Sequence, residues 1–366
     1  MIKILHIHTA LSFIAQSNKQ FDSADFDNRV ILLGEQQPER LSSEIEFYVS
    51  SKKGLNAIIE LCNAADIVVL YALDYEKSYI ANRVNQKTKL LWRFFGTELY
   101  SKMPEQMYSA MSSEILKQEN TPLKQMVRGA KKIMRGNAQQ EEEFAKAMRR
   151  VDYFLGLADD EYDFLKKHWP DLPAFMQIPL AHIGAMEVVE HKQYNRVLLG
   201  NSRVAYNNHI DVIRLIAAQK QAKNYRFELL FNYGYAPLYA DRVKAEAQQL
   251  QNINIIEEMM PFEEYQSLFN KMDAFVFNGY RQMAMRAVFE SLRNGVKVYL
   301  NKKNVILNWL QKEGFLVFSI DDFSYDLKAD NISLNPNQIT HNSQAFDQLR
   351  ESFSLSKFWE QLREIA

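Results

Sequence analysis

The stretch KLLWRFFGTELY, residues 89–100, places an indole, a glycine, a carboxylate and a phenol at the end of an apolar run, as Trp92, Gly96, Glu98 and Tyr100. A carboxylate in such a place accepts hydrogen bonds from hydroxyl groups. Flat rings stack on sugars, and glycine permits close approach. Read more plainly, Glu98 is a helix-start charge and the rings are core. GNSRVAYNNH, 200–209, joins Gly200, Asn201 and Ser202 to the start of a helix. Small polar groups before free helical N–H groups make an anion cradle, while Asn207 or Asn208 also reads as a helix cap. In NYGY, 232–235, Gly234 allows a tight turn between Tyr233 and Tyr235, whose rings suit a base or sugar as well as an ordinary exposed turn. In NGYRQ, 278–282, Arg281 is expected at a helix N-terminus, where guanidinium and backbone N–H groups together would hold a diphosphate. Glu290 follows Gln282 by eight residues, about two turns along that helix. His8 could orient an acceptor hydroxyl or act as a base, or else be structural like His6 on the same strand face.

These residues need a scaffold that brings strand ends together. Short apolar runs alternate with amphipathic segments, the pattern of parallel sheets covered by helices. Strands are expected at 2–8, 29–33, 66–71, 89–95 and 152–157, with one more in 168–184, a segment that also connects the two halves. The second half reads as strands at 196–201, 227–234, 253–258, 273–278, 297–301 and 316–320, with helices at 208–218, 237–250, 261–272 and 282–293 between them. A closing helix or helix pair is expected from 343 onward. The pattern predicts two doubly wound α/β domains with a cleft between them, and ligands at the carboxyl ends of the strands.

The 366 residues, 47% apolar and 12% aromatic, suffice for two cores. A net charge of −1 gives no overall basic field, so nucleic acid is not an expected partner. Cys62, the single cysteine, sits among apolar residues and fits a reducing cytoplasmic setting. The N-terminal MIKILHIHTALSF reads as a first strand rather than a signal peptide, and no apolar run approaches the roughly 20 residues of a membrane span. Asp159, Asp160, Asp321 and Asp322 follow strands but read as helix or turn caps, so neither a metal nor a cofactor is expected.

Residues 101–150 hold six of the fourteen methionines. Lys124, Arg128, Lys131, Lys132 and Arg135 alternate there with Met126, Val127, Ile133 and Met134. This basic amphipathic segment, 120–135, fits an anionic membrane surface on the inner face of the cytoplasmic membrane. It fits equally a helical insertion packed on the first domain.

LWRFFGTELY resembles the W-x-x-x-G-x-[D/E]-L-Y signature of the bacterial TDP-4-acetamido-4,6-dideoxygalactose:lipid II transferases of enterobacterial common antigen assembly. LLGNS, NNH, NYGY, MPFEEY and RQ follow in that family's order. Gln282 and Glu290 partly match the Glu-x7-Glu pattern of GT-B glycosyltransferases, which implies a ribose-binding role for Glu290. Met283, Ala284 and Met285 stand where the family's turn has glycine. The resemblance implies a GT-B fold with two Rossmann-like domains, an acceptor domain over 1–183, a nucleotide-sugar domain over 184–345 and a closing helix over 346–366. It implies donor contacts from Gly200, Asn201, Ser202, Asn208, Tyr233, Gly234, Tyr235, Arg281, Gln282 and Glu290. Acceptor contacts would come from Trp92, Gly96, Glu98, Tyr100 and His8, with Glu98 and Arg281 closest to the chemistry. The reaction expected is metal-independent, retaining transfer of a TDP-linked deoxyamino sugar to a lipid-linked or glycan acceptor. Two alternatives stand beside it: a capsule or lipopolysaccharide transferase using a UDP- or GDP-sugar, and a non-catalytic GT-B partner protein.

Overall fold

The computed structural model describes residues 1–11, 14–119, 137–180 and 193–366. Contacts divide the chain into two units. Unit 1 comprises Met1–Glu98, the described part of Val127–His182, and Ser352–Ala366; unit 2 comprises Leu99–Met126 and Ile183–Glu351, again where described. The linear division drawn at 183 and 345 keeps 99–126 with the first domain. By contacts, Leu99–Met126 groups with the second.

Unit 1 is built on seven strands: β1 (Ile2–His8), β2 (Phe26–Gly34), β3 (Ile45–Val49), β4 (Ile67–Tyr71), β5 (Lys89–Arg93), β6 (Tyr153–Gly156) and β7 (Ala174–Gln177). Their order is β3-β2-β1-β4-β5-β6-β7, and every pairing is parallel. The central strands are runs such as IVVLY that are buried throughout, as strands covered on both faces must be. β3 was not anticipated. Its residues IEFYV are partly exposed at the sheet edge, and so carry no buried apolar run. The C-terminal helix Leu355–Ile365 also belongs to this unit. Phe358 meets Phe21 edge to face, and Trp359 Nε1–H donates to the Gln20 carbonyl at 2.9 Å.

Unit 2 holds β8 (Arg196–Leu199), β9 (Arg226–Leu230), β10 (Ile253–Ile256), β11 (Ala274–Phe277), β12 (Lys297–Leu300) and β13 (Phe318–Ser319), in the order β10-β9-β8-β11-β12-β13 and again all parallel. Strand order reverses between β1 and β4 in the first sheet and between β8 and β11 in the second. At such a reversal the connections leave in opposite directions and open a crevice at the strand ends. Tyr108, Met111, Ile115 and Leu116 of the 99–119 segment pack against the unit 2 core formed by residues such as Ile213, Tyr239 and Val243.

The basic segment 120–135 lies outside the described residues. Among the described residues no helix is long and apolar enough to cross a membrane.

Candidate active site

In unit 2 the β8 loop is organised by asparagines. Gly200 has a φ of +61°, and a Cβ there would lie 2.9 Å from His209 Nε2. Asn207 Oδ1 accepts from the Asn201 N–H at 3.1 Å, and its Nδ2 donates to Ser202 Oγ at 3.1 Å. The neighbouring loop enters through Gly234, φ +100°, where a Cβ would strike Val204 at 2.5 Å. Tyr233 OH accepts from Asn201 Nδ2 at 3.1 Å. Tyr235 is 88% exposed.

Asn208 does something other than cap a helix. It precedes the helix His209–Ala217 with a left-handed φ of 52°, and its side chain makes no cap bond. Its amide is wholly buried and reaches sideways. Oδ1 accepts from the Ser109 N–H at 2.8 Å, while Nδ2 donates to the carbonyls of Met107 at 3.2 Å and Asn278 at 3.1 Å. Asn278 Nδ2 returns a bond to the Asn208 carbonyl at 3.1 Å, and Asn301 Nδ2 donates to Asn278 Oδ1 at 2.7 Å. The loops after β8, β11 and β12 and the turn at 107–109 are thereby tied together at the crevice. Asn208 has its polar atoms committed to that tie, not aimed at a ligand.

Arg281 lies in the β11 loop and is only 4% exposed. Its guanidinium carbon stands 5.2 Å from the Tyr206 ring centroid and 5.6 Å from that of Tyr100. Arg281 Nη1 donates to the Gln282 carbonyl at 3.2 Å. The next helix, Met285–Arg293, starts later than the sequence suggests, after Ala284 at a φ of 55°. Arg281 and Gln282 therefore belong to the loop rather than to the first helical turn. Glu290 faces Gln266 of the helix Phe262–Phe269, which donates to Oε1 at 3.1 Å, and Arg293, at 3.5 Å from Oε2. It lines a polar groove with Glu263, Ser267 and Asn270. No hydrogen bond or ion pair joins it to Arg281 among the described residues.

In unit 1, Glu98 sits in the short helix Thr97–Tyr100, just after Gly96 turns the chain. Glu98 Oε1 accepts from Trp92 Nε1–H at 3.2 Å and from the Phe95 N–H at 3.3 Å. Oε2 is buried and makes no hydrogen bond among the described residues. Burial pushes the carboxyl above the usual range, and the bonds to its own backbone, Trp92 and Phe95 pull it partly back. Arg93 nearby is lowered to about 10 by burial, opposed by Tyr71, Glu161 and Glu98.

The expected stacking role of Trp92 is corrected. Its ring is 0% exposed and packed edge-on by Phe94, Phe144 and Phe154, so it offers no face to a sugar and serves Glu98 through its N–H. Tyr100, which belongs with Arg281 to unit 2, is likewise buried, its ring centroid 5.6 Å from the guanidinium carbon. His8 is core: its ring stacks on Tyr71 at 3.7 Å, and Nε2 lies 3.3 Å from Ser17 Oγ. Burial, then His6 and Lys77, lower it to about 3, which makes it a poor proton acceptor near neutrality. The aspartates behave as expected: Asp322 completes a capping box with Ser319, and Asp159 and Asp160 lie in a first helical turn. Among the described residues no group of three or more His, Cys, Asp or Glu is arranged to hold a metal.

Residues 160–356 match the family model described as 4-alpha-L-fucosyltransferase, glycosyl transferase group 56. Sucrose-phosphate synthase from Thermosynechococcus elongatus is similar at a TM-score of 0.69 and 9% identity, over 100% of this chain and 98% of that one. Anabaena HepE in complex with UDP and glucose is similar at 0.65 and 10%, over 100% and 99%. An alpha-glucosyltransferase in complex with UDP is similar at 0.61 and 11%, over 100% and 99%. At these identities the likeness shows the fold, that of the GT-B glycosyltransferases. With more than half of its length matched by the family model, the chain belongs to the 4-alpha-L-fucosyltransferase family, glycosyl transferase group 56, and is a glycosyltransferase.

Proposed function

We propose that the chain transfers a deoxyamino sugar from a TDP-linked donor to a lipid-linked or glycan acceptor of bacterial surface polysaccharide synthesis, with retention and without a metal. The observation that carries this is the crevice between β8 and β11, where the Gly200–Ser202 loop and the Arg281 loop are joined through Asn208 and Asn278. A donor diphosphate suits that place. Arg281 supplies charge, Gly200, Asn201 and Ser202 supply close backbone, and Tyr233, Gly234 and Tyr235 flank the base or sugar. Gln282 and Glu290 are donor-side residues in the same proposal, Glu290 as the ribose ligand.

In the reaction, the bond from the donor's anomeric carbon to the diphosphate breaks, and a bond to the acceptor oxygen forms on the same face. The departing diphosphate takes the hydroxyl proton. Arg281 stabilises its growing charge, and Glu98 orients the hydroxyl without attacking. Gly96 gives the acceptor room beside Glu98.

A UDP donor is the second choice, favoured by the UDP bound to two of the similar structures. Attachment of segment 120–135 to an anionic membrane surface completes the proposal, on the strength of its composition.

The test is transfer by the purified chain from TDP-, UDP- and GDP-sugars to bacterial lipid extract, with products read by mass spectrometry and the anomeric configuration by NMR. A TDP-dependent, α-configured lipid product supports the proposal. Product from a UDP- or GDP-sugar alone overturns the donor assignment.

A further inference from the structure

The segment Leu99–Met126 contributes to unit 2 in a way that no sequence motif announces. Its described part is fixed at two independent points. Ser109 N–H bonds Asn208, whose amide also holds Met107, and Ser109 Oγ donates to Asp211 Oδ2 at 2.6 Å. Beyond these bonds, Met111 Sδ accepts from Arg214 Nη1 at 3.3 Å. The segment so held brings a phenol, Tyr100, to Arg281. The Tyr100 ring lies 5.6 Å from the guanidinium carbon. Tyr206, from the turn Ala205–Asn207, closes a second side at 5.2 Å.

Aromatic faces within about 6 Å attract a guanidinium through the ring quadrupole without neutralising it, unlike a carboxylate. A cation fixed between rings loses little freedom on meeting an incoming anion. We propose that Tyr206 and Tyr100 are positioning residues: a pair of rings that presents Arg281 to the β-phosphate of the donor, with one of them supplied by the 99–119 segment. This rests on the assignment of Arg281 to the donor diphosphate made above.

The experiment is titration calorimetry of the full chain and its variants with TDP and UDP, and with the monophosphates TMP and UMP. Tyr206→Leu and Tyr100→Leu are expected to weaken the diphosphate that the wild type prefers by roughly 3- to 30-fold, with the matching monophosphate changed by less than about twofold. Tyr206→Phe, which keeps the ring, is expected to stay within about twofold. Equal weakening of mono- and diphosphate would show a merely structural role and overturn the proposal. So would unchanged diphosphate affinity in both leucine variants while Arg281→Ala loses it. If Arg281→Ala also binds normally, or the wild type binds neither diphosphate, the donor assignment itself fails and the role of the two rings with it.

Discussion

Replacing Asn208 tests how far the crevice depends on one side chain. Asn208→Ala removes three buried hydrogen bonds, to Ser109 N–H, Met107 O and Asn278 O. A typical net bond contributes about 1 kcal/mol, and the Ser109 N–H, left buried and unpaired, costs about 1–3 kcal/mol. Alanine at a φ of 52° adds about 1 kcal/mol that asparagine largely avoids. Counting the Ser109 bond by its unpaired-donor cost alone, these give a loss of about 4–6 kcal/mol. For a unit of this size that corresponds to a melting temperature lower by roughly 8–24 °C. Asn208→Gly loses the same amide bonds but tolerates the left-handed backbone, and is expected to melt roughly 2–4 °C above the alanine variant. The assay is thermal unfolding followed by circular dichroism, with nucleotide binding measured in parallel, since the 107–109 turn and the Asn278 loop are released together. An alanine variant melting within about 2 °C of the wild type would refute the view that Asn208 ties these segments.

Glu98→Gln keeps an Oε1 able to accept from Trp92 and Phe95, but removes the ionisation. Because burial raises the folded carboxyl, the stability it contributes is full below the ordinary carboxylate range and is lost as pH rises through the raised value. The glutamine variant should therefore be the more stable protein at neutral pH, with the gap closing on acidification, while transfer activity falls; pH-dependent melting with a parallel activity assay checks both. His6, His8 and His209 are lowered by burial from 6.5 to about 4, about 3 and about 3. Their stability contributions are full above pH 6.5 and are lost as pH falls toward 3–4, so the wild-type melting temperature should decline through that window and His209→Gln should decline less steeply. Co-sedimentation with anionic liposomes at low salt is expected for the full chain and abolished by replacing Lys124, Arg128, Lys131 and Lys132 with Ser; a wild type that stays in the supernatant removes the membrane proposal.

Much of the fold was legible because parallel strands buried on both faces leave uninterrupted apolar runs, as in IVVLY and AFVF, and helices leave spaced ones. The edge strand Ile45–Val49 left no such signal, since its residues stay partly exposed. The same logic misled at Trp92. An aromatic at the end of an apolar run looks alike whether it faces a ligand or three phenylalanines, and only packing distinguishes them. The late start of the helix Met285–Arg293 turns on Ala284 in a left-handed conformation that its sequence does not advertise. Asn278 and Tyr206 were missed as site-building residues because their partners lie on other elements. The bond from Ser109 to Asn208 spans 99 positions, and no local pattern encodes it.

The measurement that bears most directly on the assignment of donor and site is titration calorimetry of the wild-type chain with TDP, UDP and GDP in the presence of EDTA. Tight binding of TDP alone, undiminished by the chelator, is the predicted result. Binding of UDP or GDP in its place would contradict the proposed donor, and binding of none would contradict a nucleotide site at the β8–β11 crevice.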